Sequence, residues 1–298
     1  MLGRLRMSTK EALDEYDNVA KRIFRKSNRN WTSLDSQFNE QALEEAIREL
    51  VDRRRMDQRM RDPNNHPTTG LSVVCSLPTT DQRQPYRFRG YPHPGRNDIH
   101  DFGKDCMIWE AARATTAAPT FFKPITITNG SEKKDFLDAA LSFNNPTGEI
   151  LKEAAEILEP TRELGCVLTL GTGTRAKSLE RPASCSLLGI RWVFTKLIPA
   201  LKSHTTDSER VHSDYEERFT DFKDSYFRFN LPDGADAVKL HQYKKMDELK
   251  EMTRKYLQTN PEARRNMDRL VSVLAKRRTQ GLTVGLACRS SIIARIKL

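Results

Sequence analysis

The stretch from Met107 to Thr147, MIWEAARATTAAPTFFKPITITNGSEKKDFLDAALSFNNPT, constrains the fold of this chain more than any other. Residues Ile108 to Ala118 read as a helix rich in small side chains, which let a helix axis come close to a sheet. Pro119 stops it, because the ring removes a backbone donor and biases Ala118 towards extended geometry. A Phe121-Phe122 pair follows, then a short Thr/Ile strand, a second strand ending at Asp138, and a new helix opening at Asn145-Pro146. The carboxylate of Asp138 therefore falls at a strand-to-loop junction, where open α/β sheets place their chemistry.

The strings Trp109-Glu110-Ala111-Ala112-Arg113-Ala114-Thr115 and Ala117-Ala118-Pro119-Thr120-Phe121-Phe122-Lys123-Pro124 resemble the patatin-like phospholipases, the fungal branch in particular. Asp138 followed by Asn144-Asn145-Pro146 carries the same resemblance, which runs from Met1 to about Ala275. It implies an α/β fold, a three-layer sandwich whose mixed central sheet has helices on both faces. It also implies acyl-lipid hydrolysis at a membrane surface by a Ser-Asp dyad, with no cofactor and no metal. In that family the nucleophile lies in a G-x-S-x-G turn, the oxyanion hole in a Gly-rich loop near the N-terminus, and the Asp in D-G-G or D-G-A.

Only the last motif is present, and imperfectly, as Asp138-Ala139-Ala140; no G-x-S-x-G occurs, and Gly70-Leu71-Ser72 runs on into Val73-Val74. The opening Met-Leu-Gly-Arg-Leu-Arg-Met-Ser resembles the family segment just after the nucleophile turn. The expectation is a patatin-like domain over residues 1–275, its N-terminal part and its nucleophile lying upstream of Met1. The resemblance assigns Asp138 as proton acceptor and assigns no nucleophile within this chain. Alanine at 139 in place of the family's glycine raises the question of backbone conformation there, since glycine alone tolerates φ > 0 freely.

Elsewhere the residues predict a layered domain. Ser8-Thr9-Lys10-Glu11 is a capping box for a helix with Leu13, Tyr16, Ala20, Ile23 and Phe24 at helical spacing. A second helix is expected from about Ser36, with Phe38, Leu43, Ala46, Ile47, Leu50 and Val51 on one face and Arg53-Arg54-Arg55 at its end. Arginines there are favoured by the helix dipole, a structural reading preferred over phosphate binding. Leu71 to Leu77 and Cys166 to Leu170 read as buried strands, expected in one sheet with the Asp138 strand; Tyr86 to Arg89 reads as a peripheral strand. Ile150, Leu151, Ala154, Ile157 and Leu158 are expected to face that sheet from the helix opened by Asn145 as cap and Pro146 as first residue.

Gly171-Thr172-Gly173-Thr174 lacks the Lys of a P-loop and the third Gly of a dinucleotide fingerprint, and reads as a structural turn. His93 and Asp98 match the H-x-x-x-x-D of glycerolipid acyltransferases, a short match in a proline-rich loop that chance explains better. Ser178 to Ser186 reads as a surface loop, and Leu187 to Leu201 as a helix. Two amphipathic helices end the domain, one with Met246, Leu249, Met252 and Leu257, the other starting at Asn260-Pro261. Residues 276–298 carry six basic and no acidic residues and read either as a disordered basic tail that could touch anionic membranes or as a non-native end from an alternative reading of the gene.

A net charge of +10 draws the chain towards anionic surfaces, phospholipid headgroups being the partner the resemblance favours. Nucleic acid is disfavoured, since no recognition motif accompanies the basic residues. The five cysteines are scattered, without a C-x-x-C pair, which speaks against a disulfide framework or zinc site and for a reducing compartment. No apolar run reaches the roughly 20 residues that span a bilayer, so a cytoplasmic or peripheral membrane location is expected. Two functions stand side by side: a lipid acyl hydrolase truncated after its nucleophile, and a catalytically inactive remnant that binds lipid or protein.

Overall fold

Ser8 starts the first helix as the capping box requires. Its Oγ accepts the Glu11 N–H at 3.2 Å while Glu11 Oε2 accepts the Ser8 N–H at 2.8 Å, and α1 runs over Thr9–Ile23. In this computed structural model the described residues are 1–30, 36–62, 72–81, 83–94, 101–119, 121–173, 208–222, 224–232, 238 and 241–276. They fall into two compact units, the first comprising Met1–Asn144 and residues 241–244, the second the rest from Asn145 onward. Leu71, Asp98, Thr174, the segments expected as a loop and a helix between Ser178 and Leu201, and the tail beyond Lys276 lie outside the described residues.

In the first unit, α2 (Glu40–Arg53) packs beside α1. It begins four residues later than the pattern suggested: Asn39 Oδ1 accepts the Gln41 N–H at 2.9 Å, while the buried Ser36 and Phe38 precede the helix. Phe38 instead forms an isolated antiparallel bridge with Arg29. The stripe that α1 buries is also shifted. Ala20 and Ile23 are buried with Ala12 and Val19 against them, whereas Leu13 and Tyr16 are 44% and 49% exposed. One helix face about 100° wide is all that a neighbour can cover, and residues 12, 19, 20 and 23 share it. Arg22 pairs with Glu49 at 2.5 Å, Arg53 with Glu15 at 2.8 Å and Arg54 with Glu11 at 3.1 Å, so the arginines at the end of α2 tie the two helices together.

Four antiparallel strands form the sheet of this unit in the order β2-β1-β4-β3, with β1 over Val73–Pro78, β2 over Tyr86–Arg89, β3 over Ile125–Asn129 and β4 over Glu132–Asp138. β2 is peripheral, as its alternation indicated. The β3–β4 connection is a two-residue hairpin turn at Gly130-Ser131, and Gly130 takes φ +61°, the left-handed geometry such turns need. α3 (Ile108–Thr115) packs on β1, β3, β4 and α2. Its Ala111 and Ala114 are fully buried, which is what the small residues permit, and it ends four residues before Pro119. Tyr86, Phe88, Phe102 and Phe136 pack edge-on and tilted with centroids 4.8–6.1 Å apart, the aromatic part of this core.

The second unit opens on α4 (Thr147–Ile157). Pro146 takes the N-cap position, one residue outside the helix, and Asn145 Oδ1 accepts both the Thr147 N–H and its hydroxyl. Leu151 faces inward, but Ile150, expected beside it, is 48% exposed. The strand expected to join the Asp138 sheet, β5 (Val167–Leu170), pairs in parallel with β6 (Tyr226–Phe229). A parallel pair needs a crossover, and the helix over residues 208–218, α5, lies between the two strands in the chain. Among the described residues both parallel and antiparallel pairings thus occur, in two sheets rather than one. Leu168 and Leu170 are exposed, contrary to the buried strand expected, while α7 (Pro261–Lys276) covers Phe227 and Phe229 of β6 through Ala263 and Leu270. α6 (Met246–Thr259) lends Tyr256 and Leu257 to the same cluster, and Asn260 caps α7 through the Ala263 N–H at 2.9 Å. Helices and strands are interleaved along the described residues, and the chain is α/β.

Candidate active site

β4 ends where its last side chain begins a turn. Asp138 caps a 3-10 helix over Ala139–Leu141, and its Oδ1 accepts the Ala140 N–H at 2.8 Å. Its own N–H donates to the Ala117 carbonyl at 3.1 Å, so the strand end is fastened to the loop that follows α3. The second carboxylate oxygen, Oδ2, has no hydrogen bond or ion pair among the described residues. The side chain is half-buried with no cation beside it among the described residues, and burial pushes the carboxyl up to about 6 although the Ala140 amide pulls the other way. A group with that value is mostly ionised at neutral pH yet basic enough to take a proton.

The alanine after Asp138 is accommodated. Ala139 is buried inside the 3-10 turn, and the non-glycine residues with positive φ are Arg6, Arg55 and Asp224 among those described. The backbone at 139 thus makes no use of the conformation that only glycine adopts freely.

The serine nearest to Asp138 in the sheet is Ser76, its register partner on β1. It is fully buried, and its Oγ lies 3.0 Å from the Ala114 carbonyl and 2.5 Å from the Leu137 carbonyl, so its proton is committed to backbone and it cannot attack a lipid ester. The sequence reading passed over Ser76, as it did the Ala117 carbonyl and the Ala140 amide. One signal was available for Ser76, a lone hydroxyl in the run Val73-Val74-Cys75-Ser76-Leu77 that otherwise reads as buried strand.

His93 is buried in the loop after β2. The glycine-rich turn after β5 is occupied by the protein itself: the Gly173 N–H donates to Asn230 Oδ1 at 2.7 Å, and a Cβ at Gly171 would sit 2.2 Å from that oxygen. Replacing Gly171 by Ala is expected to push Asn230 aside, free the Gly173 N–H and lower stability by about 1–3 kcal/mol. The midpoint of urea unfolding measures it, and a change below a few tenths of a kcal/mol would show that the turn rearranges without cost.

A helix-and-strand framework with a polar site at a strand terminus defines an α/β protein of the kind that works at a sheet margin. Its family is specific. A model of the patatin-like phospholipases matches residues 2–151, and the chain belongs to that family. Among curated relatives, calcium-independent phospholipase A2-gamma of Rattus norvegicus is 27% identical over 288 residues, which cover 94% of this chain and 34% of the relative. The protein of the same name from Homo sapiens is 25% identical over the same shares. The 85/88 kDa calcium-independent phospholipase A2 of Rattus norvegicus is 37% identical over 90 residues, 27% of this chain and 10% of the relative. The chain spans about a third of the length of the first two. No helix among the described residues is long and apolar enough to cross a membrane.

Proposed function

We propose that Asp138 is the proton acceptor of a Ser-Asp dyad in a lipid acyl hydrolase, the serine being carried on a G-x-S-x-G turn outside these 298 residues. The observation that carries this reading is the strand-end carboxylate itself, with Oδ1 held by the Ala140 amide, Oδ2 open, and a carboxyl raised to about 6. In the reaction the serine hydroxyl adds to an ester carbonyl of a phospholipid while Oδ2 takes its proton. Collapse of the tetrahedral adduct expels the lysolipid alkoxide, which recovers that proton from Asp138. Water then attacks the acyl-serine with Asp138 again as base, releasing a fatty acid.

The names of the relatives, calcium-independent phospholipases A2, support phospholipase A2 chemistry and independence from calcium. A carboxylate base with backbone oxyanion donors requires no metal, so turnover is expected to survive EDTA. The test uses two proteins. The 298-residue chain alone should show no serine labelling by a fluorophosphonate probe and no ester hydrolysis, whereas a chain preceded by a segment bearing G-x-S-x-G should hydrolyse phosphatidylcholine vesicles. Vesicle binding without turnover by the joined chain would favour the other reading, a lipid-binding module without catalysis, which the lack of G-x-S-x-G in the sequence supports.

A further inference from the structure

Two backbone links converge on the end of β4. The Asp138 N–H donates to the Ala117 carbonyl, and the Ser76 hydroxyl reaches both the Leu137 carbonyl, one peptide before Asp138, and the Ala114 carbonyl in the last turn of α3. Three elements that are far apart in the chain, β1, α3 and β4, therefore meet at one oxygen. Ser76 is fully buried, as are Leu77 beside it and Ala114 and Ala117 opposite, so no water competes for its proton. A hydroxyl carries one hydrogen, and sharing it between two carbonyls fixes the position of each against the other. Its direct neighbour in the sheet register is Asp138.

We propose that Ser76 is a positioning residue for Asp138, its hydroxyl locking the end of β4 to the last turn of α3 so that the open carboxylate oxygen keeps one direction. The assignment of a catalytic purpose rests on the reading of Asp138 as base; the lock itself does not. Without the hydroxyl the Leu137 and Ala114 carbonyls lose their common donor, and the strand end can part from the helix. Asp138 then turns towards water and its titration moves back towards that of an ordinary aspartate.

The experiment compares Ser76→Thr with Ser76→Val in the 298-residue chain. The two side chains have the same shape and crowd the buried site equally, so any difference between them reports the hydroxyl. Carboxyl 13C signals of labelled aspartates are followed against pH, with Asp138→Asn identifying the resonance, and exchange of the Asp138 amide is measured alongside. Ser76→Thr should keep the Asp138 titration of the unsubstituted chain. Ser76→Val should lower its midpoint by a pH unit or more and speed exchange of the Asp138 amide at least about tenfold relative to Ile127, a buried residue on β3. Ser76→Ala, which removes the oxygen without adding bulk, should follow Ser76→Val.

Identical titration and exchange in the Thr and Val variants would overturn the proposal, as would a Ser76→Ala chain indistinguishable from the unsubstituted one. In the joined chain, Ser76→Val should lower kcat with little change in KM and shift the acid limb of the pH profile, and Ser76→Thr should restore both. A joined chain inactive for other reasons leaves the titration result standing, so loss of the dyad reading and loss of the lock are told apart.

Discussion

Replacing Asp138 by Asn in the joined chain is expected to lower phospholipid hydrolysis by about 10² or more while vesicle binding changes little. Asparagine keeps the size of the side chain and an oxygen that can accept the Ala140 N–H, but it offers no base at the position of Oδ2. The pH profile of the unsubstituted joined chain follows from the same group. With the carboxyl at about 6, kcat/KM should rise through that pH and level off above it. The sign of the stability effect is the reverse of the usual one for an aspartate. Its folded value lies above the ordinary carboxylate value, so the native state binds more protons than the unfolded chain between pH 4 and 6, and stability falls as pH rises through that window.

Above pH 6 the buried charge costs up to about 3 kcal/mol by that shift, and less in practice because the half-buried carboxylate keeps some contact with water. Asp138→Asn should therefore raise the unfolding midpoint at pH 7 while it removes turnover, and the gain should vanish at pH 4. Near-full turnover with Asn at 138 would show the dyad assignment to be wrong; a destabilised Asn variant at pH 7 would show that the carboxylate has a partner that offsets its burial.

The second large effect is structural. Replacing Arg113 by Ala is expected to cost about 3–5 kcal/mol of folding stability. Arg113 is 1% exposed in the middle of α3, among alanines, and its Nη2 donates to the Lys123 carbonyl at 2.5 Å. Its Nε lies 3.5 Å from Glu44 Oε1 on α2, and the guanidinium is 5.5 Å from the centre of the Phe122 ring. Burial holds the Arg113 value down and raises that of Glu44, the mutual attraction opposing both, so each partner is desolvated more than the other compensates. Truncation thus leaves a cavity, an unsatisfied carbonyl in the loop before β3 and a half-buried glutamate held by the attraction of Arg48 without that of Arg113.

Pairing Arg113→Met with Glu44→Gln should recover much of the loss, because an apolar side chain of similar length fills the site and the stranded charge is gone. Urea midpoints of the single and double variants at constant m-value decide it. A cost under about 1 kcal/mol for Arg113→Ala would mean that α3 is held by its alanines alone. Since Arg113 fastens the loop that presents the Ala117 carbonyl to Asp138, the joined chain should also lose turnover in proportion to any displacement of that loop.

Local chemistry made most of the elements readable from the residues. The capping box at Ser8, the strand at Tyr86–Arg89 and the two strands leading to Asp138 each depend on neighbours a few residues away and form where the pattern puts them, whereas the small-residue helix starts at Ile108 as expected but ends at Thr115 rather than Ala118. The errors have a common source. Leu13, Tyr16, Ile150, Leu168 and Leu170 have apolar side chains at helical or strand spacing and are nevertheless exposed, because periodicity states which residues share a face and says nothing of whether another element covers it.

Sequence alone therefore determined the class of the fold, the order of its elements, the family resemblance and the one carboxylate on which the proposed chemistry turns. Which strands share a sheet, and what surrounds that carboxylate, only the tertiary structure decided. The pairing of β1 with β4 rather than with β5 brings Ser76 beside Asp138 across a separation of 62 positions in the chain, and the burial of Arg113 depends on α2 arriving from a similar distance. Local pattern marks Ser76 as a lone hydroxyl in an apolar strand but names no partner for it, and an arginine in an alanine-rich helix is equally at home in water. The physical reason is that a hydrogen bond or a desolvation cost belongs to a pair of groups in space, and their meeting is fixed by the packing of whole elements rather than by either residue's neighbours in the chain.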